Sequence, residues 1–117
     1  MKYVTGILFV FLCQLAMSQP VFEEHFTPQA LRLDFLLAGS AEQQTLYLEG
    51  MNKEEPWAGP RTNLVNPFGY GNYRVMVRDS LNQKLLYSRG FSTLFEEWQT
   101  TEQAKQTTRA FSPTIRI

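Results

Sequence analysis

Apolar side chains in this sequence recur mainly at every second position, in short runs separated by polar or glycine- and proline-bearing segments. Across residues 72–79, Tyr73, Val75 and Val77 alternate with Arg74, Met76 and Arg78, the pattern of a strand with one buried face. A shorter, less regular run at residues 84–88 follows the segment DSLNQ, whose side chains bond their own backbone and tolerate tight turns. The two runs predict a hairpin with a loop of about four or five residues. The period then changes. Phe91, Leu94, Phe95 and Trp98 fall at i, i+3, i+4 and i+7, and Thr93 precedes Glu96 by three residues as in a capping box. A short helix is expected there, with its large side chains packed on the sheet.

The remaining runs extend the same picture. Residues 19–27 carry Val21, Phe22 and Phe26 around Glu23, Glu24 and His25, and predict a lead-in strand or extended arm. At residues 31–37, Leu31, Leu33, Phe35 and Leu37 point one way, Arg32 and Asp34 the other, and the run stops at Ala38, Gly39 and Ser40. Residues 45–49 predict an antiparallel partner strand that ends at Gly50. The longest irregular stretch, residues 52–71, holds six glycines and prolines among Trp57, Phe68 and Tyr70; loops of this length are usually functional or pinned by their own side chains. Trp57 and Phe68 are expected to plug the open end of a pair of sheets, with an exposed aromatic platform as the alternative. Residues 99–110 lack any large apolar residue and predict a loop or solvent-facing edge. Alternation resumes at Phe111, Pro113, Ile115 and Ile117, a final strand with nothing after it, as though the parent polypeptide continues; in a natively short protein it predicts an unpaired edge and dimerisation. The sum is an all-β, antiparallel, immunoglobulin-like β-sandwich of about six or seven short strands with one short helix.

The N-terminus has a different character. Lys2 precedes an apolar run at residues 3–16, and Ala16, Met17 and Ser18 place small residues where a signal peptidase reads. A signal peptide over residues 1–18 is expected, cleaved after Ser18, leaving residues 19–117 as one domain. The run is short for a membrane span, which takes about 20 apolar residues. Cys13 is the sole cysteine and follows Leu12, where a lipoprotein signal needs a small residue, so the mature chain carries no thiol. Export without disulfides points to a bacterial secreted, periplasmic or cell-envelope protein.

Charge narrows the partners. The chain has 11 basic and 11 acidic residues, and removing Lys2 leaves the mature domain near neutrality. Nucleic-acid binding requires a strongly positive balance, and a polybasic membrane patch is missing as well. Catalytic chemistry also lacks its residues. His25 is the single histidine, whereas catalytic zinc draws on two or three, and a hydroxyl nucleophile would have to share that imidazole as its base. The paired carboxylates Glu23–Glu24, Glu54–Glu55 and Glu96–Glu97 diverge from each other whether on strand or helix, so solvated faces and capping account for them. Gly69-Tyr70-Gly71 lacks the third glycine and following helix of a phosphate loop. Arg74, Arg78 and Arg89 are expected to pair across strands with Asp34 or Glu49, with a basic face on one sheet as the alternative.

The string YGNYRVMVRD followed by KLLYSRGFSTLFEEWQTTEQA, with LRLDFLLAGS and the Trp57-x-Gly59 spacing before it, resembles the N-terminal domain of the secreted IgA-peptidase-like zinc metallopeptidases of Bacteroidetes, metallopeptidase family sixty-four. The resemblance implies an all-β domain placed before a separate catalytic domain, with residues 19–117 as the N-terminal accessory domain alone, truncated at its C-terminus. That family's zinc motif, H-E-x-x-H, occurs nowhere in this chain, so no catalytic or metal residue transfers to any position, and zinc is expected only in the missing catalytic domain. The expected function is a non-catalytic domain that packs on or orients the catalytic domain of the same parent protein, with a protein or glycan substrate as a further partner. The alternative is a free-standing secreted module binding glycans or a surface protein. The residues proposed for an interface or binding surface are Trp57, Tyr70, Tyr73, Phe91 and Trp98.

Overall fold

The computed structural model describes residues 18–117; apart from Ser18, the expected signal peptide lies outside the described residues. The elements run α1 (Phe22–His25), β1 (Ala30–Gly39), β2 (Gln44–Glu54), β3 (Tyr73–Arg78), β4 (Leu85–Phe91), α2 (Leu94–Gln99), a 3-10 turn (Gln103–Lys105), β5 (Arg109–Phe111) and β6 (Thr114–Arg116). They form two antiparallel sheets, one ordered β2-β1-β5 with β6 also on β1, the other β3-β4.

β1 is the axis of the larger sheet. It pairs along its whole length with β2 on one side; on the other, β5 takes its C-terminal end and β6 its N-terminal half. Pro113 separates the two short strands because it has no N–H to donate, yet its carbonyl still accepts from the Phe35 amide at 3.3 Å. Ile117 extends the pairing, its N–H donating to Leu31 O at 2.9 Å and its carbonyl accepting from Leu31 N at 2.7 Å. The final strand, expected to lack a partner if the protein is natively this short, is therefore paired with β1. The alternation in its sequence showed an inward face but could not show which strand received its backbone.

In the smaller sheet, the hairpin β3–β4 closes through Asp79, whose Oδ1 accepts from the amides of Leu81 and Asn82 at 2.7 and 3.2 Å. Residues 64–66 add a strand-like segment beside β4. Val65 bridges Ser88 in parallel, the Ser88 amide donates to Leu64 O at 2.9 Å, and the Asn66 amide donates to both Ser88 O and Ser88 Oγ. The Gln19 side-chain amide pairs with the backbone of Val65 in both directions, at 3.1 and 3.0 Å.

Four sequence expectations change. Residues 19–27 do not lie extended. Helical turn α1 brings Phe22 and Phe26 to a 5.7 Å ring stack, whereas a strand would hold residues four apart at about 13 Å. β2 does not stop at Gly50. Phe35 pairs with Leu48 and Asp34 with Gly50, so Glu49 is an extra, bulged residue that resets the alternation and puts Met51 on the same face as Leu46 and Leu48. Phe91 belongs to β4, opposite Tyr73 and stacked on it at 5.4 Å, and the helix begins three residues later. Thr93 is its N-cap as expected, with Oγ1 accepting from the Glu96 amide at 3.3 Å. Residues 99–110 are not wholly solvent-facing, because Ala104 on the 3-10 turn is completely buried.

The apolar faces gather into two clusters. Phe35, Leu37, Phe95, Trp98 and Ala104 form the first, closed by Tyr73, Phe91, Phe111 and Ile115. Phe22, Leu64 and Tyr87 form the second, with Phe26, Trp57, Val75, Val77 and Ile117 around them. Both draw on more than one element, so neither sheet has a core of its own. The chain between residues 66 and 73 crosses the end of β4 so closely that a Cβ at Gly90 would lie 1.9 Å from Tyr70 O, and Gly71 makes the crossing with φ of 75°.

Two stability outcomes follow from this packing. Phe95→Ala is expected to cost about 3–5 kcal/mol by urea denaturation, while Leu94→Ala, on the exposed side of the same helix, should stay within about 0.5 kcal/mol. Gly90→Ala should destabilise by about 1–3 kcal/mol, since the obstacle is backbone and has no rotamer to yield.

Candidate functional site

At the end of the sheets where β1 begins and β3 ends, the second cluster surrounds an apolar cavity of about 280 Å³, walled chiefly by Phe22, Phe26, Leu31, Trp57, Leu64 and Tyr87. Trp57 reaches it from the irregular segment after β2. Its backbone N–H donates to Pro28 O at 2.7 Å and its indole N–H to Pro60 O at 3.1 Å. The ring lies against Gly59, where a Cβ would sit 2.0 Å from it, and meets Tyr87 edge-on at 6.3 Å. This is the plug expected of Trp57. Arg61 lies over the Phe22 ring at 5.1 Å and covers the cluster from the loop side. Among the described residues the buried Tyr87 hydroxyl has no hydrogen-bond partner, a cost of about 1–3 kcal/mol. His25 borders the cavity but is exposed.

The five residues proposed from sequence occupy three environments. Trp57 is in the second cluster. Tyr73, Phe91 and Trp98 pack in or against the first, where the Tyr73 hydroxyl donates to Gln44 Oε1 at 2.6 Å and the Trp98 indole N–H to Gln103 Oε1 at 3.0 Å. Tyr70 is 69% exposed and stacks on Phe68 at 5.5 Å. Phe68, expected as a second plug, is instead exposed because the 66–71 segment passes over the outside of β4. An exposed apolar surface that the sequence did not single out lies on β2, where Leu46, Leu48 and Met51 are all more than half exposed.

On the opposite face of the larger sheet, charge is organised across three strands. Arg32 of β1 stands in register with Arg116 of β6, a like-charge pair that is unfavourable by itself. Glu54 of β2 accepts from both, Oε1 from Arg32 at 2.5 Å and Oε2 from Arg116 at 2.6 Å. Asp34 takes Arg32 with both oxygens and also accepts from Asn52. The Arg116 hydrogen bond, with Arg32 behind it, holds the Glu54 carboxyl below its ordinary value of 4.5, and partial burial opposes them. Arg32 is pushed up, first by its bond to Asp34. The expected pairing of Asp34 with Arg74, Arg78 or Arg89 is replaced by this nearer set. Arg74 and Arg78 lie on the smaller sheet's outer face, and Arg89, in register with Val75, faces the other way.

The remaining carboxylate pairs do not converge. Glu23 and Glu24 are exposed on α1, Glu55 accepts from Gln29 at 2.6 Å, and Glu96 and Glu97 sit in the first turn of α2. Among the described residues, no three His, Cys, Asp or Glu side chains lie where they could hold a metal ion.

A family model described as Peptidase M64 N-terminus matches residues 21–117. No curated protein matches the chain.

Two measurements probe this region. Tyr87→Phe should be neutral or stabilising by up to about 1 kcal/mol, because it removes a buried hydroxyl that has no partner. For Glu54 the folded carboxyl binds its proton less readily than the unfolded one, so its contribution is complete above pH 4.5 and is lost as pH falls through the depressed folded value. The stability difference between wild type and Glu54→Gln, read from denaturation midpoints across the acid range, should therefore shrink as pH falls.

Proposed function

The chain belongs to the Peptidase M64 N-terminus family, and from that premise we propose that it is the non-catalytic N-terminal domain of an exported zinc metallopeptidase, packing on and orienting a catalytic domain of the same parent protein. The observation that carries this reading is the extent of the match. It runs over residues 21–117, so the two sheets and both clusters together correspond to the family's N-terminal domain.

The chemistry of the chain supports the division of labour. A catalytic zinc site draws on two or three histidines in fixed spacing, and this sequence holds one histidine and no H-E-x-x-H. Hydrolysis then belongs to the catalytic domain, while this domain supplies a rigid body with surfaces for a neighbour and for a protein or glycan substrate. The two antiparallel sheets sharing a core support an immunoglobulin-like sandwich as its architecture. Lys2, the apolar run to Ala16 and the small residues to Ser18 support export, and the cysteine-free remainder suits a bacterial envelope or secreted protein whose stability comes from packing.

A second reading is favoured by one observation. The Phe68–Tyr70 stack presents two adjacent exposed rings, and ring faces offer apolar area to sugars while neighbouring polar groups take the hydroxyls. In this reading the domain carries glycans rather than a neighbouring domain.

The purified chain, supplied with zinc and incubated with casein and with immunoglobulin, should show no cleavage above background; activity would end the first reading. Binding to immobilised mucin that disappears in a Phe68→Ala, Tyr70→Ala double variant would favour the second.

A further inference from the structure

The inward face of the larger sheet is covered on one strand and bare on the next. Paired residues share a face, and Leu37 stands opposite Leu46, Phe35 opposite Leu48, and Leu33 opposite Met51. Leu37 and Phe35 are 0% and 5% exposed, whereas Leu46, Leu48 and Met51 are 55%, 58% and 61% exposed. The change from core to solvent happens within one strand spacing, about 4.8 Å.

The cause is the width of the smaller sheet. The Tyr73 hydroxyl, at the start of β3, bonds Gln44 of β2, so β3 lies on the β2 side of the smaller sheet. Residues 64–66 lie beyond β4, on the edge away from β3, and Arg89 of β4 shares a groove with Val75 of β3 and residues 113–116. Among the described residues β3 pairs with β4 alone, leaving its other edge unpaired, and the start of β3 is bonded to Gln44, the residue at which β2 and its bare stripe begin. One more strand on that edge would satisfy the free backbone groups of β3 and cover the bare face of β2 together.

The charge on β3 specifies the strand further. Arg74 and Arg78 are exposed on the face turned away from the core, about 13 Å apart along the strand, and neither is in an ion pair among the described residues. Cross-strand neighbours of opposite charge are favoured. We propose that an extended segment of the catalytic domain pairs with the free edge of β3, setting apolar side chains on Leu46, Leu48 and Met51 and acidic side chains beside Arg74 and Arg78. This inference rests on the reading of the chain as a peptidase's accessory domain and assigns the surface through which that domain is held. Backbone pairing supplies the affinity and the alternation of apolar and acidic positions the register.

The test measures binding of the purified chain to a purified catalytic domain from a Peptidase M64 protein, by calorimetry. Leu46→Glu with Leu48→Glu should weaken binding about tenfold or more. Arg74→Glu with Arg78→Glu should weaken it and reduce its dependence on salt. Tyr47→Glu, on the opposite face of β2, should leave it unchanged. Circular dichroism and melting of each variant check that the fold persists, as expected for positions this exposed. If wild type binds and the leucine variant binds equally well, the assigned surface is wrong while the accessory-domain reading stands. If wild type does not bind at all, the accessory-domain reading fails and the assignment with it. A homodimer of the wild-type chain that the leucine variant dissolves would make a second copy the occupant and overturn the choice of the catalytic domain.

Discussion

Everything in this domain hangs on β1. It is hydrogen bonded on both edges, to β2 along its length and to β5, β6 and Ile117 in succession on the other side, and it contributes Phe35 and Leu37 to the first cluster. A strand held on both edges has one register only, because a slip of one residue would turn Phe35 and Leu37 to solvent and Arg32 and Asp34 into the core. The charged face reinforces that register. Glu54 reaches Arg32 and Arg116 together only when β2, β1 and β6 are aligned as they are.

The smaller sheet is built onto this frame with less margin. Its two regular strands need the 64–66 segment beside them and the aromatic rings of Phe22, Phe26 and Trp57 at one end to close the second cluster, and even so a cavity and an unpartnered Tyr87 hydroxyl persist there. At the other end, the crossing of residues 66–73 over Gly90 commits two glycines and leaves Phe68 and Tyr70 outside. The small sheet is fastened at both ends and, among the described residues, open along β3.

This arrangement also separates the aromatic residues by purpose. Trp98 and Phe91 close a core, Trp57 closes the other, and Tyr73 spans the sheets by its bond to Gln44. Of the five residues singled out from sequence, Tyr70 alone is largely free to meet a ligand, with Phe68 beside it. Aromatic type and spacing identify such residues as anchors, but which side of the sheet an anchor faces depends on how the loops cross it.

The order of apolar and polar residues was sufficient to identify β1, the β3–β4 hairpin, the capped helix after Thr93 and the inward set Phe111, Ile115 and Ile117, because each follows from local periodicity or a local cap. The family was legible in the residues around YSRGF and EWQTT. Tertiary contacts alone decided the rest. A bulge at Glu49 carried β2 past Gly50, a ring stack turned residues 22–26 into a helical turn, and pairing with Tyr73 drew Phe91 into β4. They also decided that Leu46, Leu48 and Met51 stand bare. Alternation marks which side chains share a face of a strand, and only the width of the opposing sheet determines whether that face is covered.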